Sequence, residues 1–244
     1  MRAALVTAAA ALLLVLVPGR ASGGAVATPV GPTAIPRDYC GSDPAPAGWR
    51  FSAGYGLLQS TIRFTGVSAD FTHHSVLAGV SRRLRHDLTV QLSAGALLSG
   101  TWNLPGAPGT LNAGPMAQLS ATWMALEGGS GWPFVALGAG LSAFTAGVSG
   151  AGNVGIESVT AGDLSLSATV GRSLWGTVAP YVGARVFGGP VHWTLGGQKR
   201  SGDDTHHFQV ALGLAAALPA GFDLLVEGSP LGQRSISASA GWSF

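Results

Sequence analysis

Ser235-Ile236-Ser237-Ala238-Ser239-Ala240-Gly241-Trp242-Ser243-Phe244 ends the chain. Read in steps of two, it separates cleanly. Ile236, Ala238, Ala240, Trp242 and Phe244 share one face, and Ser235, Ser237, Ser239, Gly241 and Ser243 share the other. A β-strand turns successive side chains to opposite faces, so this pattern predicts a strand between an apolar and a small polar environment.

The same period recurs upstream. Ten segments carry it, at about 49–60, 73–84, 87–100, 114–126, 132–145, 158–173, 177–192, 205–218, 221–229 and 234–244. In 88–98, Leu88, Val90, Leu92 and Ala94 oppose Thr89, Gln91, Ser93 and Gly95. Connections alternate between short turns, such as Arg85-His86 and Pro219 to Gly221, and longer loops near 61–72, 101–113, 146–157 and 193–204.

Composition explains which environment the apolar face meets. Only 10% of residues are charged, whereas 47% are hydrophobic and 38 are glycine. A soluble protein averages about 25% charged residues. A soluble β-sandwich would hide its apolar face and charge the other, but here the second face is Ser, Gly, Ala, Thr and Gln. Lipid solvates an apolar outer face directly. It offers no hydrogen bonds to a free sheet edge, so a spanning sheet must close. The expected fold is all-β, a closed antiparallel up-and-down transmembrane β-barrel of about ten strands, with eight or twelve as alternatives. Even numbers return both ends of the barrel to one side.

Residues 1–27 have the parts of a secretory signal peptide: Arg2, the apolar run Ala3 to Val17, and the small-x-small site Ala25-Val26-Ala27 before Thr28. Without Arg2 and Arg20 the basic count falls from 13 to 11, equal to the 11 acidic residues, and a neutral chain does not point to nucleic acid. Residues 28–48 hold Pro29, Pro32, Pro36, Pro44 and Pro46, and are expected as a Pro/Gly-rich periplasmic lead-in or a small plug in the lumen. The barrel is expected over 49–244. Cys40, the one cysteine, has no internal disulfide partner. It is read as a tolerated thiol or an intermolecular bridge.

Tryptophans flank the strands, as they do at membrane interfaces. Trp49, Trp123, Trp132, Trp175 and Trp242, with Phe222 and Phe244, fall at the periplasmic ends, and Trp102 and Trp193 near the external ends. The leader, the ten segments and the terminal Gly241-Trp242-Ser243-Phe244 resemble the bacterial outer-membrane β-barrel class. That resemblance implies an integral place in the outer membrane of a Gram-negative cell envelope, in contact with its lipid. It also implies recognition of strand 234–244 by the barrel-assembly machinery.

Candidate chemistry is sparse. Strand parity turns Asp163, Arg172, Arg185, Asp223 and Glu227 into the lumen, with Arg185 and Glu227 at similar mid-height and Arg172 and Asp223 low, near the periplasm. Such charges form either a structural network or a narrow polar route. His73, His74, His192, His206 and His207 fall at the external rim near Asp70, Asp203 and Asp204. Asp204-Thr205-His206 resembles the Asp-x-His of omptin outer-membrane proteases, but the Asp-x-Asp pair that pattern also needs is absent from this sequence, and omptins are longer. No cofactor, metal or catalytic group is expected. The leading expectation is a structural or binding component, or anchor, of an envelope complex for export, adhesion or motility. Its alternatives are a narrow channel for small solutes or lipidic molecules and, third, a surface hydrolase.

Overall fold

The computed structural model describes Pro36–Cys40 and residues 48–64, 67–104, 107–128, 132–150, 157–195 and 197–244. The expected signal peptide, and the lead-in apart from Pro36–Cys40 and Gly48, lie outside the described residues.

The described residues form thirteen strands and one short α-helix. They are α1 (Pro36–Cys40), β1 (Trp49–Phe64), β2 (Val67–Arg85), β3 (Leu88–Leu104), β4 (Ala107–Leu111), β5 (Gly114–Leu126), β6 (Phe134–Gly150), β7 (Glu157–Gly171), β8 (Val178–Gly188), β9 (Val191–Leu195), β10 (Gln198–Asp204), β11 (Phe208–Ala217), β12 (Phe222–Gly232) and β13 (Arg234–Ser243). Every pairing is antiparallel. The ring β1-β2-β3-β5-β6-β7-β8-β11-β12-β13 closes when β13 pairs with β1, from Arg50↔Ser243 to Gln59↔Arg234. These are the ten strands that the alternation predicts. Tight connections, among them His86-Asp87 and the 3-10 turn Pro219–Gly221, lie at the end where β13 finishes.

The other end departs from expectation. Segments 61–72, 101–113 and 193–204, read as loops, are largely strand. β4 continues the line of β5, β9 that of β8, and β10 leads into β11. These extensions form a second ring. β4 joins β3 to β6, β9 joins β7 to β10, and β10 pairs with β1 at Ile62↔Asp204 and Arg63↔Asp203. Strands β12 and β13 take no part. The wall therefore tapers from ten strands to eight, because the β12–β13 hairpin stops at Gly232-Gln233 and β10 takes the place of β13 beside β1. Eight strands enclose an interior just wide enough for side chains to fill.

The two faces exchange polarity along the same strands. On β1, Phe51, Ala53 and Tyr55 point outward, and Arg50, Ser52 and Gly54 inward. Beyond Leu57 the outward residues are Gln59, Thr61 and Arg63, while Leu58 and Ile62 are buried inside. On β2 the outward residues change from Val76, Ala78 and Val80 to Ser68, Asp70 and Thr72. The lower wall is thus dressed for lipid outside, and the upper head for water. From Trp49 to Leu57 is nine residues, close to the span a tilted strand of about 9–11 residues provides.

Aromatic side chains mark the lower margin. Phe244 stacks on Phe51 and on Trp242, with ring centroids 5.7 and 4.8 Å apart. The Trp242 indole donates to the Ala220 carbonyl at 3.2 Å, and the Arg82 guanidinium lies 5.1 Å from the Trp49 ring centre. Trp49, Trp123, Trp132, Trp175, Trp242 and Phe244 are all exposed on this margin. Trp102 and Trp193 are not interface residues: each is 2–3% exposed, packed inside the head.

Gly241 has a specific reason. A Cβ there would meet the Arg50 guanidinium at 2.2 Å, and that guanidinium holds Asp223 across the seam of the barrel. Gly241→Val is expected to expel Arg50 and leave Asp223 buried without its cation, costing about 3–5 kcal/mol. Gly228→Ala, where an added Cβ meets nothing within 4 Å, is expected to change stability by less than about 0.5 kcal/mol. Urea titration of the fraction that keeps its folded mobility on unboiled gels measures both.

Candidate functional site

The lumen has three levels. In the head, Phe71, Trp102, Leu111, Phe144, Val159 and Trp193 belong to one apolar core. Trp102 and Trp193 meet edge to face at 4.4 Å, and Phe71 lies 6.2 Å from Trp193. Gly109 admits the Trp102 ring, since a Cβ there would come within 1.7 Å of its indole nitrogen. His73, expected at the rim, is buried in this region at 5.9 Å from Phe144.

The middle level is polar. At its lower edge, as expected of Asp223, the Asp223 carboxylate accepts from Arg50 Nε at 2.8 Å and Nη2 at 2.5 Å, a bidentate pair buried on both sides. Glu227 accepts the Tyr181 hydroxyl at 2.9 Å. Arg185 reaches Gln209 Oε1 at 3.4 Å, and Gln209 donates to Ser235 at 2.6 Å. Asp163 is buried on β7. Arg185 and Glu227 line one internal cavity of about 30 Å³ with Tyr39, Gln118 and Thr122. A second, of about 40 Å³, lies between Arg50, Gln91, Gln118 and the serines of β1 and β13. Each has room for a few waters.

Arg172 is the sequence-predicted lumen residue placed elsewhere. β7 ends at Gly171, so strand parity no longer applies, and Arg172 is exposed in the turn to β8. The cation beside Asp223 is Arg50. Strand parity from Phe51 turns Arg50 inward, but choosing Asp223 as its partner needs the register of β13 between them.

The lowest level is closed by α1, which lies inside the wall. The Tyr39 ring stacks on Phe134 at 4.4 Å and 8°, and tilts against Tyr181 at 5.5 Å. Arg83 on β2 pairs with Asp38, Ser173 donates to the Cys40 carbonyl, and the Cys40 thiol donates to the Thr177 carbonyl at 3.3 Å. Cys40 is fully buried. Such a short helix has little stability of its own. Its position rests on Tyr39 and on the Asp38–Arg83 pair.

The rim holds a polar lock where the wall tapers. Asp204 is 2% exposed and accepts the Ser60 hydroxyl at 2.5 Å, the Gln233 amide at 3.4 Å and the His206 backbone N–H at 2.8 Å. Thr205 N–H and hydroxyl both donate to the Thr61 carbonyl at 3.0 Å. This stitches β1 to the start of β11 above the short hairpin. The His207–Asp203 pair is solvent-facing at 3.7 Å. Among the described residues no group of three or more His, Cys, Asp or Glu is arranged to hold a metal.

Several solved structures are similar to this chain. The translocator domain of the autotransporter NalP from Neisseria meningitidis superposes with a TM-score of 0.50 at 14% identity, covering 84% of this chain and 91% of that one. The transport unit of the autotransporter AIDA-I from Escherichia coli gives 0.48 at 11%, covering 83% and 92%, and the Ralstonia pickettii toluene transporter TbuX 0.32 at 10%, covering 89% and 99%. No family profile and no curated protein matches the sequence. The closed ring, its lipid-facing belt and the NalP likeness define an integral outer-membrane β-barrel.

Two outcomes follow from the two closures. Burial raises the Asp204 carboxyl to about 6, against the opposing pull of Ser60, the His206 N–H and the charges of His206 and His207. The folded seam holds its proton more tightly than the unfolded chain does. Its contribution is therefore full below the ordinary aspartate value and is lost as pH rises through about 6. Amide-exchange protection over 60–62 and 202–206, corrected for intrinsic rates, is expected to fall between pH 4.5 and 7.5, and the fall to vanish in Asp204→Asn. At the lower end, Asp38→Ala is expected to free α1, so that a water-soluble maleimide labels Cys40 in the folded variant and leaves the wild type unlabelled.

Proposed function

We propose that the protein is a non-conducting envelope component: a barrel that anchors in the outer membrane and carries a rigid β-head for contact with other envelope or surface partners. Export, adhesion and motility machines are the settings such an anchor would serve. The observation that carries this reading is the double closure of the lumen. A diffusion pore needs a continuous wet path, and here the path meets Phe71, Trp102 and Trp193 above and Tyr39 below. Wide aqueous channels belong to barrels of about 16–18 strands. The head is stiff because its extensions are hydrogen-bonded on both sides and filled by a packed core.

A hydrolase at Asp204 finds little support. Its carboxylate is buried and engaged by Ser60, Gln233 and the His206 N–H, so none of it is turned to a substrate. The terminal strand 234–244, with Trp242 and Phe244 on its lipid face, has the features expected of a segment read by the barrel-assembly machinery.

In planar bilayers the wild type is expected to give no conductance steps. Trp102→Ala with Trp193→Ala is expected to stay silent, because α1 still blocks the lower end. Steps are expected only when Tyr39→Ala and Asp38→Ala are added. Steady conductance by the wild type would replace the anchor with the channel reading. Pull-down from native outer membranes is expected to recover envelope proteins whose yield falls when head residues such as Arg63 and Lys199 are reversed in charge.

A further inference from the structure

The outer wall carries two recesses stacked on the same strands. The lower one lies within the lipid-facing belt. Its volume is about 670 Å³, and its floor includes Ala53, Ala78, Ala94 and Ala240. These alanines are in register, Ala240↔Ala53↔Ala78↔Ala94, and the row runs on through Ala117 to Ala143, all facing outward. The next outward row toward the periplasm is large: Phe51, Val80, Leu92, Leu119, Leu141 and Leu164, also in register. Six neighbouring strands spaced about 4.8 Å apart make a furrow about 24 Å long beside an apolar ridge. A furrow of that length accommodates an extended acyl chain.

The upper recess is polar and about 600 Å³ in volume. It exists because the wall tapers. Above Gly232 the β12–β13 hairpin is missing, and β1 runs on to meet β10. Gln59, Thr61, Thr72, His206 and Arg234 line the step. Arg234 is exposed and has no acidic partner among the described residues. Asp70 also lines it, but its carboxylate accepts the Thr61 hydroxyl at 2.7 Å. Leu231, on the rim, is 59% exposed beside this polar surface. The step therefore sits at the boundary between the lipid belt and the water-facing head.

The offset between the recesses is the same on three strands. Gln59 stands six residues from Ala53, Arg234 six from Ala240, and Thr72 six from Ala78. Six residues of strand span about 20 Å. That is a polar headgroup above an apolar chain, with the hydrogen-bonded Tyr55–His74 pair between them.

The geometry points to a specific binding site for one phosphorylated, acylated lipid of the outer leaflet, its phosphate on Arg234 in the step and an acyl chain in the alanine furrow. The outer leaflet is the source because the step lies at the head end of the belt. The guanidinium is the natural partner of a phosphate, and small side chains let a chain approach the wall closely. Neither recess alone would select a lipid. Together they measure both ends of one.

The test titrates folded, detergent-purified barrel with diphosphorylated hexa-acyl lipid A and counts bound lipid by native mass spectrometry. One bound copy is expected to saturate first. Arg234→Gln is expected to weaken it about tenfold, as the loss of one charge-assisted contact does. Ala53→Leu with Ala78→Leu, which fills the furrow without adding polarity, is expected to weaken it comparably. Unboiled-gel mobility verifies that each variant is folded, and Arg172→Gln, at an exposed cation in the turn between β7 and β8 at the opposite end of the belt, is expected to bind as wild type. Equal binding of dephosphorylated lipid A would overturn the phosphate role. Displacement of the lipid by inorganic phosphate alone would make the step a free-anion site and overturn the lipid assignment. Unchanged binding by both the Arg234 and the alanine variants would overturn the site itself.

Discussion

Strands β1 and β2 pass from lipid into water without changing the hydrogen bonding between them, so the polarity of their two faces has to exchange. A strand has only two faces. Below Leu57 the outer one must satisfy lipid, and beyond it the outer one must satisfy water. β1 and β2 therefore keep their pairing from Trp49↔Arg82 to Phe64↔Val67 while exchanging the chemistry of both sides. Everything else in the architecture follows from that exchange. Once Gln59, Thr61 and Arg63 face outward, Leu58 and Ile62 must face inward. An inward apolar face can only be stable if it is packed dry.

Dry packing sets the strand number. A ten-stranded interior is wider than the apolar side chains of the head would fill, and an unfilled apolar cavity costs stability in proportion to its volume. Dropping β12 and β13 brings the remaining strands close enough for Trp102, Trp193 and Phe71 to meet. The lower ring keeps ten strands because its interior is polar and is occupied differently, by paired charges, by small wet cavities and by α1. The two closures of the lumen are thus of different kinds. One is a folded core that cannot open without unfolding the head. The other is a five-residue helix held by Tyr39 and one ion pair.

How much of this was legible in the sequence depends on range. The ten ring strands are written in local alternation, and Ile236 to Phe244 states it most clearly. The head is also written locally, but in the opposite phase: Gln59-Ser60-Thr61-Ile62-Arg63 alternates with its apolar residue on the inner face. Read against a lipid-facing template, that stretch looks like a polar loop. The same template puts Trp102 and Trp193 at the interface, since a tryptophan near a strand end is compatible with either face. Arg172 fails for another reason: parity holds only while the strand lasts. Least legible is α1. Five residues have no periodicity to read, and their burial depends on Phe134, Tyr181 and Arg83, each on a different strand far along the chain.

The taper has one further consequence. A closed ring can lose strands only in adjacent pairs, as a hairpin that stops short, and the neighbours must then join across its tip. At that junction β1 changes partner between Gln59 and Ile62, and the backbone there cannot be satisfied by either regular ladder. Side chains and one irregular stretch supply what is missing: Asp204 gathers Ser60, Gln233 and the His206 N–H, and Thr205 covers the Thr61 carbonyl. The inner side of the junction is therefore the most polar point of the upper seam, and the outer side is a step in an otherwise smooth wall. Topology alone places that step at the height where the hairpin ends. Because the hairpin is as long as the lipid belt is tall, the step comes to lie at the membrane surface, where amphiphilic molecules have their polar ends.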